Sequence, residues 1–335
     1  MKYKNIEIHN IGEIIPGEAE GSIRWLRVPS EVRDSLESEQ GKNMCCAATG
    51  VELRFIMKSD TVSIRMRTPS GKGVFHVYRG SIQGGWEDHE VDKITTPEFE
   101  EFVIRKSENP DMLERITNNF NYPFSPEVIR VVMDRGVFEI IDIIGDVEPP
   151  KVEQLPKKTL LAYGSSITHG SNSIDMSHSW VSVLAHNLKM DCINLGMAGS
   201  CRMEPEMVEY IASKGENGEW NMALLELGIN VLDWDEEKII QRVNNTLKQI
   251  AGRNPQKPIY VISPFYSFDD YNHNGKADKW RRLISQVINE TKYDNVTYIN
   301  GLDILGDMSL MSADEVHPNI YGVAQIAQRL LERIK

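Results

Sequence analysis

Along the first part of the chain, apolar and polar residues alternate with a period of two. Between residues 61 and 67, Val62, Ile64 and Met66 point one way. Thr61, Ser63, Arg65 and Arg67 point the other, as in a half-buried strand. Residues 51–57, 74–78, 101–105, 128–133 and 137–144 are further β-rich runs. Turn-forming stretches such as Lys58-Ser59-Asp60 and Pro69-Ser70-Gly71-Lys72-Gly73 separate them. Asp134-Arg135-Gly136 predicts a hairpin joining the last two runs. Only residues 112–119 suit a short helix. Many short strands predict an antiparallel β-sandwich over residues 1–150. Pro149-Pro150 and residues 151–158 then predict a linker.

After Thr159 the pattern changes. Short apolar runs at 159–163, 192–195, 222–227, 258–263 and 296–300 alternate with helical stretches. Asp235-Glu236-Glu237 puts acid in the first turn of one helix, where it suits the helix dipole. Ile239, Ile240, Val243, Leu247 and Ile250 make its apolar stripe, and Gly252 marks its stop. Residues 277–289 and 319–334 are helical by the same test. This alternation predicts a five-stranded parallel sheet with helices on both faces. Ligands of such sheets bind beyond the carboxyl ends of the strands.

Those ends carry chemistry. Gly164-Ser165-Ser166-Ile167-Thr168 follows the first strand, Gly196-Met197-Ala198-Gly199 the second and Gly228-Ile229-Asn230 the third; Asp314-Glu315-Val316-His317 precedes the last helix. Acyl transfer uses these residue types. A serine hydroxyl such as that of Ser166 is a weak nucleophile until a base such as His317 takes its proton. Asp314 is placed to fix the tautomer of that imidazole. The backbone N–H groups of Ser166 and Gly199 and the side-chain amide of Asn230 can form an oxyanion hole.

The four blocks resemble the SGNH (GDSL) hydrolase family of esterases, lipases and related acyl-transfer enzymes, over residues 157–335. The resemblance implies a flavodoxin-like parallel sheet, Ser166 as nucleophile, His317 as base and then acid, and no metal or organic cofactor. Two positions depart from the family pattern: Ser165 stands where an Asp is usual before the nucleophile, and Val231 where an Asp is common after the asparagine. Some members work with a Ser-His dyad, which leaves the weight carried by Asp314 open. A jelly-roll-like sandwich ahead of such a domain resembles two-domain carbohydrate esterases that remove acetyl groups from sugars. That implies a carbohydrate-binding or substrate-shaping role for residues 1–150. The expected activity is hydrolysis of small acyl esters, acetyl esters on carbohydrates above all, through an acyl-enzyme. Acyl transfer by the same machinery, or carbohydrate binding by an inactive hydrolase domain, are the alternatives.

Charge narrows the partners. The 335 residues hold 37 Lys and Arg against 49 Asp and Glu, a net charge of -12, which disfavours nucleic acid and anionic membrane. No apolar run approaches the ~20 residues that span a bilayer. Cys45, Cys46, Cys192 and Cys201 form no CxxC pair or disulfide framework, and with no signal peptide read at the start the chain is expected to be cytoplasmic.

Other residues carry lesser expectations. His169, Phe265 and Tyr266 are candidates to line the substrate pocket. Trp25 and Trp86 can stack on a sugar or fill the sandwich, and packing is the simpler reading. Arg202 can hold a substrate carboxylate or a surface partner. His169, His178 and His186 lack zincin spacing. Asp270 opens a stretch that starts like a calcium loop but has Arg281 where a bidentate Glu is required.

Overall fold

The alternating runs of the first part pair into two antiparallel sheets in a computed structural model that describes residues 1–85 and 93–334. Trp86 lies outside the described residues. One sheet runs in the order Lys2–Tyr3, Ile6–His9, Glu52–Met57, Val128–Met133, Gly73–Arg79 and Ile82–Gln83. Val147–Glu148 and Lys93–Thr95 add to it on Glu52–Met57 and Gly73–Arg79. The other runs Glu100–Arg105, Thr61–Arg67, Glu139–Ile144, Ile23–Leu26 and Glu13–Pro16. Val62, Ile64 and Met66 pack in one core with Leu53, Phe55 and Val131. Trp25 is buried in the same core, where it packs rather than waits for a sugar.

Three expectations need correction. The runs on either side of Asp134-Arg135-Gly136 form no hairpin. Both edges of Val128–Met133 are taken, by Glu52–Met57 and Gly73–Arg79, so the chain crosses to the other sheet and Glu139–Ile144 pairs with Thr61–Arg67. Two short helices, Ser30–Ser35 and Glu39–Met44, were not read, because each buries only one residue and has no apolar stripe. Residues 151–158 are not a free linker. Gln154 accepts from the Lys151 amide, donates to Glu127 and receives the Ser125 amide on its carbonyl, which ties the segment to the sandwich.

The second part is a parallel sheet of β1 (Thr159–Gly164), β2 (Asp191–Gly196), β3 (Met222–Glu226), β4 (Ile259–Ile262) and β5 (Val296–Ile299), in the order β2-β1-β3-β4-β5. Successive residues of β1 serve opposite faces. Leu161 and Tyr163 pack under helices α3 (Pro205–Glu216), α4 (Glu236–Arg253) and α5 (Lys276–Thr291). Leu160 and Ala162 pack under α2 (Trp180–Asn187) and α6 (Ile320–Arg333). Burial on both faces is why these strands read as apolar runs without alternation. Strand order reverses at β1, the switch point where such sheets bind ligands, and the short helix α1 (Ser166–His169) begins there.

The sandwich meets this second part through polar contacts from the first sheet and from the loops beside both sheets. Arg54 forms a bidentate pair with Asp191 at 2.7 Å for both bonds. Arg27 donates to Asn194 O at 3.0 Å and Gly196 O at 2.9 Å, and Arg135 donates to Gly170 O at 2.8 Å. No helix among the described residues is long and apolar enough to cross a membrane.

Candidate active site

The turn after β1 is built tightly. A Cβ on Gly164 would collide with Thr168 Oγ1 and lie 2.7 Å from Glu226 Oε2, so only glycine fits. Ser165 caps the helix by accepting the Ile167 amide at 3.1 Å, and the next residue, Ser166, is 7% exposed. His317 Nε2 lies 2.7 Å from Ser166 Oγ, and His317 Nδ1 lies 2.8 Å from Asp314 Oδ2. A hydroxyl in this arrangement can pass its proton to the imidazole as it attacks, while the carboxylate steadies the imidazolium.

A closed loop holds the Asp–His segment. Met311 and Pro318 form a β-bridge, and the Ser312 amide donates to His317 O at 2.8 Å. Asp314 Oδ1 accepts the amides of Val316 at 3.1 Å and His317 at 2.9 Å. Burial alone would raise the Asp314 carboxyl, but the His317 amide and ring and the Val316 amide outweigh it and hold it down at about 2. Asn172 completes the loop. Its Nδ2 donates to Asp314 Oδ2 at 2.9 Å and to Ser312 Oγ at 2.8 Å. Sequence reasoning missed Asn172, since nothing in its local pattern tells that its backbone turns left-handed (φ 62°) toward a loop far along the chain.

Gly199 and Asn230 follow β2 and β3, the strands that flank β1. Asn230 Oδ1 accepts the Cys201 amide at 3.0 Å, which fixes the side-chain amide and leaves Nδ2 without a partner among the described residues. Gly199 is exposed with φ 68°, and its N–H is likewise unbonded. Gln40 of the sandwich reaches this turn by donating to Ala198 O at 3.2 Å.

A family model of the GDSL-like lipase/acylhydrolase family matches residues 157–335. The chain belongs to that family. It is accordingly a carboxylic ester hydrolase by family, and solved structures extend the likeness over its whole length. A salicylyl-acyltransferase, SsfX3, from a tetracycline biosynthetic pathway is 17% identical with TM-score 0.76, covering 98% of this chain and 93% of that one. A putative GDSL-like lipase from Bacteroides ovatus is 16% identical with TM-score 0.66, covering 99% of each chain. A family two carbohydrate esterase from Clostridium thermocellum, solved with cellohexaose, is 14% identical with TM-score 0.61, covering 98% of each. At such identities the likeness is one of fold. No curated protein sequence matches the chain.

In this family member, the carboxylate against the Ser166 turn comes from β3. Glu226 Oε2 accepts from the Ser165 amide at 2.7 Å, Ser165 Oγ at 2.6 Å and Thr168 Oγ1 at 3.1 Å. Glu226 is 1% exposed, and burial pushes its carboxyl up to about 7 against the pull of these hydrogen bonds. Sequence reasoning missed it because Met222–Glu226 reads as one buried apolar strand whose final residue happens to be acidic.

The pocket candidates fare unequally. His169 is corrected: it is buried, with Nε2 2.6 Å from Thr49 Oγ1 of the sandwich, so it packs between the two parts. Burial, and then Arg27, holds its imidazole well below the usual histidine range. Phe265 is also corrected, being buried in the core beneath α6. Tyr266 is half-buried, with its amide on Leu305 O at 2.9 Å. Arg202 makes no ion pair among the described residues, so the expected surface partner is not found there. Cys201 is buried, and burial followed by the nearby Glu226 charge raises its thiol well above its ordinary value. Asp270 is bound by Arg281, at 2.6 Å to Oδ1 and 2.9 Å to Oδ2, so its carboxylate is already engaged.

Proposed function

We propose that the protein is a serine esterase cleaving small acyl esters, acetyl esters of carbohydrates foremost, with residues 157–335 as the catalytic domain. The continuous hydrogen-bonded path from Ser166 through His317 to Asp314 carries this reading. Ser166 Oγ attacks the ester carbonyl as His317 Nε2 takes its proton. The oxyanion so formed meets the N–H groups of Ser166 and Gly199 and the Nδ2 of Asn230. The intermediate collapses to an acyl-Ser166, and His317 returns the proton to the departing alcohol. Water, deprotonated by His317, then releases the acid. Every step uses groups of this chain, and the reading requires no metal or organic cofactor.

The carbohydrate part of the proposal draws on the whole-length likeness to the family two carbohydrate esterase. The sandwich is assigned a substrate-shaping role, supported by Gln40 at the Ala198–Gly199 turn. A second reading, transfer of the acyl group to an alcohol acceptor in place of water, is favoured by the equally extensive likeness to the salicylyl-acyltransferase.

The test is turnover of p-nitrophenyl acetate by wild type and Ser166→Ala. Equal, background-level rates in both would refute the esterase reading. A panel of acetylated sugars against longer acyl esters then finds the substrate class, and acylated product from an added sugar acceptor would favour transfer.

A further inference from the structure

We propose that Glu226 is a positioning residue for the Ser166 hydroxyl, its carboxylate clamping the two side chains that stand on either side of Ser166 in the turn. The proposal rests on the role assigned to Ser166 above. One oxygen, Oε2, receives the Ser165 amide, the Ser165 hydroxyl and the Thr168 hydroxyl. Because Ser165 gives its proton to Glu226, its lone pairs are free to accept the Ile167 amide that starts α1. The clamp thus fixes the backbone immediately before and after Ser166, whose Oγ must meet His317 within hydrogen-bond range.

The group is costly where it stands. No Lys, Arg or His forms an ion pair with Glu226 among the described residues, and its Oε1 is buried without a partner. The titratable side chain shown to feel its charge is the Cys201 thiol on the loop after β2, with Sγ 3.8 Å from Glu226 O, while His169 of α1 turns its ring to Thr49. Neither is a cation paired to it. Three donors converging on one oxygen suit a carboxylate. A protonated carboxyl is a weaker acceptor, and a proton on Oε1 would find nothing to bond. The carboxylate is therefore the gripping form, and acid, by protonating it, loosens the turn.

The test compares wild type with Glu226→Gln in three readouts. These are kcat and KM for p-nitrophenyl acetate against pH, the rate of Ser166 labelling by a phosphonofluoridate, and the unfolding midpoint. Expected for Glu226→Gln are a kcat lower by about ten- to a hundred-fold with KM nearly unchanged, labelling slowed in proportion and a midpoint not lowered. The acid limb of log kcat/KM should also become less steep in Glu226→Gln, which has no carboxyl to protonate. Wild-type kcat with an unchanged limb would overturn the proposal, as would an activity loss that merely tracks a lower midpoint. Ser165→Ala/Thr168→Val leaves the carboxyl and removes its hydroxyl partners. It must show the same kcat loss, and wild-type kcat there would also overturn the proposal. Wild type inert to both ester and phosphonofluoridate would instead refute the role of Ser166.

Discussion

Arg54 and Asp191 meet across the junction of the two parts, Nη1 on Oδ2 and Nη2 on Oδ1, both at 2.7 Å. Arg54 stands on the outer face of a sandwich strand, and Asp191 opens β2, whose far end leads to Gly199. Both are buried, and Arg54 also reaches Glu52 at 2.8 Å. The sandwich is therefore keyed to the strand that carries part of the site, and the key is ionic where most cores are apolar.

Breaking that pair on one side is expected to be costly. Asp191→Ala leaves a buried guanidinium with less compensation and should lower stability by roughly 3–5 kcal/mol, while Arg54→Met with Asp191→Leu should recover most of it. Burial would raise the Asp191 carboxyl, but Arg54 and then His9 hold it below its ordinary value. A depressed carboxyl stabilises the fold above its unfolded pKa and loses that contribution as pH falls. The double variant should then unfold less steeply than wild type below about pH 4. Urea titrations at neutral and acid pH measure both effects, and equal stability of Asp191→Ala and wild type would refute the first.

Ser166 and His317 should act as one unit. Ser166→Ala, His317→Ala and the double variant are expected to lose kcat to nearly the same extent, since neither residue is useful alone. Asn172→Ala should cost less, about 1 kcal/mol in the barrier, because it removes one of several bonds orienting Asp314. Steady-state kinetics on a small ester reads all four. A double variant much slower than either single one would contradict the unit.

Asn230→Asp tests the oxyanion role while keeping the architecture. The variant retains an oxygen for the Cys201 amide but loses the Nδ2 donor and brings in negative charge. The expected loss is at least about 2.7–4 kcal/mol in kcat, or two to three powers of ten, with KM changing far less. A variant with near-native kcat would remove Asn230 from the oxyanion hole.

How much of this was legible follows from the range of the interactions. All five parallel strands could be read because burial on both faces makes short apolar runs, and α4 because Asp235 caps an evident apolar stripe. Ser166 was legible because its type stands at a strand end, and His317 and Asp314 because the pair directly precedes the last helix. Asn172 and Glu226 were not, since each acts by reaching a residue distant in sequence, and a lone Asn or Glu carries no periodic signal. His169 misled for the converse reason. Proximity to Ser166 in sequence suggested the site, but α1 turns its ring toward Thr49. The absent hairpin after Met133 shows the same limit: turn residues mark where a chain turns, while the free edge of a sheet determines where it goes next.

Glu226 should also leave a signature in stability that runs opposite to activity. Its carboxyl sits at about 7 in the fold against an ordinary 4.5, raised by burial. Between those values the folded chain holds a proton that the unfolded chain has lost, so stability falls as pH rises through that window. The fall amounts to roughly 2–4 kcal/mol once the group is fully ionised. Glu226→Gln has no such proton to lose. It should therefore gain on wild type by about that amount between pH 4 and pH 8, measured as the change in their unfolding free-energy difference. A difference that stays flat with pH would show that Glu226 is not strained by burial. A gain in stability joined to a loss of kcat would mark a group whose presence costs the fold and serves the turn.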